Sequence, residues 1–269
     1  MQKITSRSNE KVKLLRAVRD GREPELVFIE GSRLAAEALD TGIIIRLAAV
    51  SSDTIAREDE QKLLELISTK VAEVIEIPRA MFGQIGDTAT PQGIILIGER
   101  PHQGPESLVR AISERDFDIP VVVYLHRVNN PANLGAVIRT AEAAGAVGVI
   151  TSAGSADAFS PRSLRGSMGS AFRLPVWEKA EFGDIERFCN ENSLKVIATT
   201  LSQATDHRQI DWNMPILLAF GPEADGLPAE ILDRADERTT IKMRPPVESL
   251  NLAISCGVIL FEARRSAKN

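Results

Sequence analysis

The chain has 269 residues, 43% of them hydrophobic and 26% charged, with a formal net charge of −5. That length and balance suit a globular protein of two domains, each able to bury a core, and exclude one that holds nucleic acid by bulk positive charge. No apolar run approaches the length of a membrane helix, Met1-Gln2-Lys3-Ile4-Thr5-Ser6 opens no signal peptide, and Cys189 and Cys256 have no CxxC spacing. The expectation is a cytoplasmic protein with no membrane partner and two reduced, buried, structural thiols. His102, His126 and His207 also lack metal-ligand spacing, so no metal is expected.

In chain order, Lys3, Arg7, Lys11, Lys13, Arg16, Arg19 and Arg22 make the N-terminus locally basic, either as a solvated helix face or as a phosphate contact. Periodicity predicts a polar amphipathic helix near 9–19, a strand over 26–30, and then Gly31-Ser32 leading into a helix with Leu34, Ala35, Ala38 and Leu39 inside. Further strands are expected at 46–50, 73–77 and 93–97, and helices at 56–68 and 79–85, which together make a small α/β domain over 1–98. Pro101, Gly104 and Pro105 mark 99–119 as a linker carrying one helical turn or two.

From 120 to 269 apolar strands recur at 121–125, 147–151, 195–199, 216–220 and 239–243, separated by helical or loop segments. That alternation predicts a parallel sheet with helices on both faces. No GxGxxG follows the first strand, which argues against a dinucleotide-binding domain. The first strand runs into Asn129-Asn130-Pro131-Ala132-Asn133-Leu134-Gly135-Ala136-Val137-Ile138-Arg139-Thr140-Ala141. Asn133 can cap a helix there, with Leu134, Val137, Ile138, Ala141 and Ala144 on its apolar stripe and Gly145 as its stop. Arg139 lies off the stripe, on the face of Gly135, and leans back toward the strand-end loop, where open α/β sheets place their ligands.

Ser160-Pro161 begins a short helix in which Arg162 and Arg165 share a face, with Arg173 just beyond. Gly221-Pro222-Glu223-Ala224-Asp225-Gly226 is a glycine-bounded turn that brings backbone groups to a ligand with no side chain intervening. Ser249 and Asn251 stand before the final helix, whose inner stripe is expected to run Leu250, Ile254, Gly257, Val258 and Phe261. The dipole and free N–H groups at that helix start suit a carboxylate or phosphate, while Ser249 also reads as a plain N-cap.

Three blocks in this order, the first at 129–141, the second Phe220-Gly221-Pro222-Glu223-Ala224-Asp225-Gly226-Leu227 and the third Ile241-Lys242-Met243-Arg244-Pro245-Pro246-Val247-Glu248-Ser249-Leu250-Asn251-Leu252, closely resemble the SpoU branch of the SPOUT superfamily, the RNA ribose 2'-O-methyltransferases. The resemblance covers about Pro120 to Arg265. Phe28-Ile29-Glu30-Gly31-Ser32-Arg33, followed by Thr90-Pro91-Gln92-Gly93-Ile94, resembles the substrate-binding domain ahead of many SpoU catalytic domains, which is similar in fold to RNA-binding ribosomal proteins. The resemblance implies a trefoil-knotted SPOUT α/β domain, S-adenosyl-L-methionine as cofactor, an RNA substrate (ribosomal ahead of transfer RNA) and a homodimer paired through the knot and final helix. It implies Arg139, Asn133, Glu223, Ser249 and Asn251 as catalytic residues, Thr199, Gly221, Ile241 and Leu250 as cofactor-binding, and Arg165, Arg162 and Arg33 as RNA-binding.

Arg139 is then either a base for the ribose hydroxyl or a clamp on the adjoining phosphate, and Glu223 an organiser of its loop that pairs with Arg139. The family's third block usually reads Ile-Pro-Met with a glycine two positions later; this chain has Ile241-Lys242-Met243 and then Arg244, Pro245 and Pro246. That departure keeps open a non-catalytic RNA-binding or ribosome-assembly protein of the same fold. Base methylation, a third reading, sits poorly with the first block.

Overall fold

The computed structural model of the chain describes residues 1–88, 90–114 and 119–266; residues 115–118 of the expected linker and 267–269 of the expected second domain lie outside the described residues. Two compact units form, Met1–His102 with Phe159–Arg173, and Gln103–Ala158 with Leu174–Asn269.

The first unit holds β1 (Gln2–Lys3), α1 (Glu10–Arg19), β2 (Leu26–Glu30), α2 (Ser32–Asp40), β3 (Ile45–Ser51), α3 (Ser52–Ile55), α4 (Gln61–Lys70), β4 (Val74–Ile77), α5 (Arg79–Ile85) and β5 (Ile94–Glu99). Its strands lie in the order β1-β4-β3-β5-β2. Only β5 runs against its neighbours. Val12 and Leu15 of α1 and Phe82 of α5 pack on Phe28, Leu47, Ile75 and Ile95. Where one helix was expected at 56–68, α3 forms first, because the Ser51 hydroxyl accepts from Thr54 N and caps it; a 3₁₀ turn at Glu58–Glu60 then leads into α4. Most of the basic N-terminal cluster is neutralised: Lys3 pairs with Glu76 at 3.0 Å and Arg22 with Asp20 at 2.7 Å, while Arg19 donates to the carbonyls of Gln84 and Ile85, each at 3.0 Å. For those residues the solvated-face reading holds.

The second unit starts inside the expected linker, at Gln103. The expected linker contains a nine-residue helix, α6 (Pro105–Ser113), and its Leu108 is fully buried in the unit's core. Then follow β6 (Val121–Leu125), α7 (Pro131–Ala143) and β7 (Gly148–Ser152). α8 (Pro161–Ser167) and α9 (Ser170–Arg173) belong with the first unit. After them come β8 (Val176–Ala180), α10 (Phe182–Glu191), β9 (Lys195–Thr199), β10 (Thr205–Asp206), β11 (Ile216–Phe220), α11 (Ala229–Arg234), β12 (Glu237–Thr240) and α12 (Leu252–Ser266). The sheet order is β10-β12-β9-β11-β6-β7-β8, and every neighbouring pair is parallel. β11 is central, in register from Ile216 opposite Val121 to Phe220 opposite Leu125, so the strands end together along one edge.

α12 presents the face opposite to the one expected. Leu252, Cys256, Ile259, Leu260 and Ala263 are buried, whereas Ile254, Val258 and Phe261 remain 56%, 39% and 51% exposed. α12 packs beside α7, and a bare Gly257 lets the helices approach: a Cβ there would lie 3.3 Å from Thr140 Cγ2. Both cysteines are buried free thiols; burial pushes Cys189 up to about 12 and raises Cys256 further, so neither ionises near neutrality. Among the described residues no helix is long and apolar enough to cross a membrane, and no His, Cys, Asp or Glu cluster is gathered as for a metal ion.

Leu108→Ala removes a side chain sealed against β7 and is expected to destabilise the protein by about 2–4 kcal/mol, measured by urea unfolding. An exposed linker residue would change stability by less than about 0.5 kcal/mol.

Candidate active site

The central strand β11 delivers its last residue, Phe220, to the sheet edge, and the chain then turns at once through Gly221-Pro222-Glu223-Ala224-Asp225-Gly226. Gly226 takes a φ of 67°, and its N–H closes the turn on the Pro222 carbonyl at 2.9 Å. At Gly221 a Cβ would collide with the Gly226 carbonyl and the Leu227 amide, so no larger residue fits while the turn keeps its shape.

Beside this turn lies a cavity of about 370 Å³, within the range of small-molecule sites. Thr199, Gly221, Ile241 and Leu250, assigned to the cofactor by resemblance, all line it, and so do Glu223 and Ser249. The Thr199 hydroxyl is spent on the Ala219 carbonyl at 2.9 Å, which ties the end of β9 to β11. Sequence reasoning missed Phe220, Thr200, Leu227, Met243 and Ser255, which also face the cavity. Phe220 ends β11, Thr200 follows β9, Leu227 follows the Gly221–Gly226 turn, Met243 lies in the loop after β12 and Ser255 stands one helical turn into α12. The block at 239–243 is strand only as far as Thr240, which leaves Ile241 and Met243 to line the cavity. Lys242 turns out, its Nζ 3.7 Å from the buried carboxylate of Asp206. The departure at position 242 is therefore absorbed on the outer side of the loop.

Glu223 binds the three blocks together. Its Oε1 accepts from Asn133 Nδ2 at 3.0 Å, Asn251 Nδ2 at 3.0 Å and Leu252 N at 2.9 Å. Asn251 Nδ2 also donates to Asn133 Oδ1 at 3.2 Å. Asn251 is itself the cap of α12, its Oδ1 accepting from Ala253 N at 3.0 Å and Ile254 N at 3.4 Å. Ser249 is not the cap. Two expectations fail here. Asn130, not Asn133, caps α7 by accepting from Ala132 N, which frees Asn133 to reach Glu223. Glu223 also does not pair with Arg139: three neutral donors take its Oε1, while Arg139 is exposed and makes no side-chain hydrogen bond or ion pair among the described residues. Arg139 stands outside the cavity lining, on the helix that Asn133 ties to it.

The expected RNA-binding arginines all fall in the first unit. Arg33 and Arg162 are exposed, but Arg165 pairs with Asp87 at 2.6 Å. Buried Glu30 fixes that loop by accepting from Asp87 N at 2.7 Å and Thr88 Oγ1 at 2.6 Å. A phosphate at Arg165 must therefore compete with a carboxylate already in place.

Residues 120–261 match the SpoU rRNA Methylase family. The chain belongs to that family. Residues 9–96 match the MRM3-like substrate binding domain. Among its relatives is the 23S rRNA (guanosine(2553)-2'-O)-methyltransferase RlmP of Bacillus subtilis (strain 168), 28% identical over 98% of this chain and 100% of that one. The mitochondrial rRNA methyltransferase 3A of Danio rerio is 29% identical over 89% of this chain and 63% of its own. The crystal structure of the AdoMet-bound rRNA methyltransferase from Sinorhizobium meliloti superposes with a TM-score of 0.83 at 31% identity, over 98% of this chain and 97% of that one. The second unit accordingly has the SPOUT α/β-knot fold.

Gly221→Ala is expected to abolish measurable cofactor binding in isothermal titration while circular dichroism shows a folded protein. A binding constant within about threefold of wild type would mean that the turn is not part of the site.

Proposed function

We propose that this chain is an S-adenosylmethionine-dependent methyltransferase that modifies the ribose 2'-hydroxyl of ribosomal RNA, and that it works in the cytoplasm. The observation that carries this reading is the joining of all three SpoU blocks through Glu223 at the mouth of one cavity. The residues present fit the cofactor. A bare Gly221 leaves backbone open to an adenosine, Ile241 and Leu250 supply apolar walls, and Ser249 adds a hydroxyl before α12. The cofactor, when bound, supplies an electrophilic methyl group on a sulfonium.

Arg139 holds the phosphate beside the target ribose and favours negative charge on the hydroxyl oxygen as it attacks. A guanidinium stays protonated in proteins, so Arg139 clamps rather than acts as a base. Asn133 and Asn251, fixed by Glu223, keep α7 and α12 in place around the substrate. Residues 1–98 serve as the RNA-recruiting domain, with Arg33 and Arg162 available to phosphates. The enzyme is a homodimer paired through α12: Ile254, Val258 and Phe261 form an apolar stripe that a second copy covers.

Incubation with methyl-labelled cofactor and ribosomal RNA, followed by nucleoside analysis, tests the function. Label is expected in a 2'-O-methylated nucleoside; label in a base, or none from a folded dimer that binds cofactor, contradicts it. Arg139→Ala should lower kcat by about 10²–10³-fold with cofactor affinity unchanged, and Arg139→Lys should recover little of it. Phe261→Asp is expected to give monomers in light scattering, and a dimer of wild-type strength would place the interface elsewhere.

A further inference from the structure

In the acidic second unit, half of the ten described arginines are consumed by carboxylates: Arg187 by Asp184, Arg208 by Asp206, Arg234 by Glu186, Arg238 by Asp233 and Arg265 by Glu262. Arg127 is not. It is exposed and, among the described residues, makes no side-chain hydrogen bond or ion pair, a condition it shares in this unit with Arg110, Arg139 and Arg244; what sets it apart is its place.

Its place in the sheet is next to the cavity. Arg127 follows the end of β6, directly after His126, whose N–H donates at 2.8 Å to the carbonyl of Phe220, a cavity-lining residue. β6 lies between β11, which leads into the Gly221 turn, and β7. Arg127 therefore stands one strand from the cavity, on the edge from which Arg139's helix departs.

The backbone there is held in a costly conformation. Arg127 has a φ of 48°, in the left-handed region that favours glycine. Ser152 Oγ accepts from Arg127 N at 2.8 Å, Ser155 Oγ accepts from Val128 N at 3.2 Å, and Ala156 N donates to the Val128 carbonyl at 2.8 Å. The arm then lies across a second bare position: the Cβ that Gly154 lacks would sit 3.6 Å from Arg127 Nε and 3.8 Å from its Cγ. A glycine at 127 would satisfy this backbone without strain, yet a long cation is kept there and aimed past Gly154 with nothing to neutralise it.

We infer that Arg127 is an RNA-phosphate contact, which grips the substrate backbone on the β7 side of the cavity while Arg139 holds the phosphate at the reacting ribose. This rests on the reading of the chain as an RNA methyltransferase. An unpaired, planar, five-donor guanidinium at a site already charged with admitting a polyanion matches phosphate oxygens, and its exposure suits backbone contact rather than base reading.

The test uses the full chain with Arg127→Gly and Arg127→Gln, and Arg110→Ala as control. Arg110 is exposed on α6, beside the start of β7 at the opposite edge of the sheet. Binding of a fluorescein-labelled, unmethylated 23S ribosomal RNA transcript is measured across a salt series, with cofactor titration and melting alongside. Both Arg127 variants should bind RNA about tenfold more weakly, and the slope of log affinity against log salt should fall by about 0.7–0.9. Cofactor affinity should not change, and Arg127→Gly should melt no lower than wild type, which a merely structural role would not give. Wild-type RNA affinity and salt slope in both variants, or an equal loss in Arg110→Ala, would overturn the inference while leaving the enzyme reading intact. A wild-type protein that binds cofactor but no RNA, or neither, would overturn both.

Discussion

One carboxylate oxygen holds the site together. Glu223 Oε1 collects donors from residues 90 positions upstream and 28 and 29 positions downstream in the chain. In doing so it joins the loop after the central strand to the starts of two helices. Solvent reaches this network, so each bond contributes at the low end, about 0.5–1 kcal/mol. The value lies in geometry: three motifs remote in sequence keep one relative position because they share one acceptor. Removing it would leave two asparagine side chains and a helix-start N–H without their partner.

The parallel register makes such a meeting feasible. β9, β11 and β6 run side by side and end within a residue or so of one another, so the loops that follow them emerge along one edge. Gly221 and Gly226 then allow a turn tight enough to leave backbone, rather than side chains, at the cavity wall. The wall is largely backbone and apolar surface, with Glu223 and Asp225 as its carboxylates, and Arg139 stands outside it. Glu223 draws its partners from neutral amides, and among the described residues that guanidinium makes no side-chain hydrogen bond or ion pair.

Much of this was legible in the residues. β2, β6, β9 and β11 begin and end where the apolar runs do, because β-branched and aliphatic stretches bounded by glycine, proline or polar residues have few other stable conformations. The four residues assigned to the cofactor by motif position all line one cavity. What failed were choices between near-equivalent options. Asn130 and Asn133 are both good caps; Pro131 in the first helical turn decides for Asn130. α12 is apolar on two faces, so periodicity could not select the buried one, and the face taken as inner is the one left exposed. β8, Val-Trp-Glu-Lys-Ala, is an edge strand with a polar centre and carries little apolar signal. α6 hid among prolines and glycines that read as linker, although Pro105 is a helix start.

Through Asn133, Asn251 and the Leu252 amide, Glu223 ties the Gly221 turn to the starts of α7 and α12 beside the cavity. Isothermal titration of Glu223→Ala with S-adenosylmethionine, beside wild type, tests it most directly. The expected result is a folded protein with cofactor affinity weakened about tenfold or more, since α12 and the Gly221 turn lose their common tether. Wild-type affinity in that variant would contradict it, and would mean that the parallel strand ends shape the cavity without help.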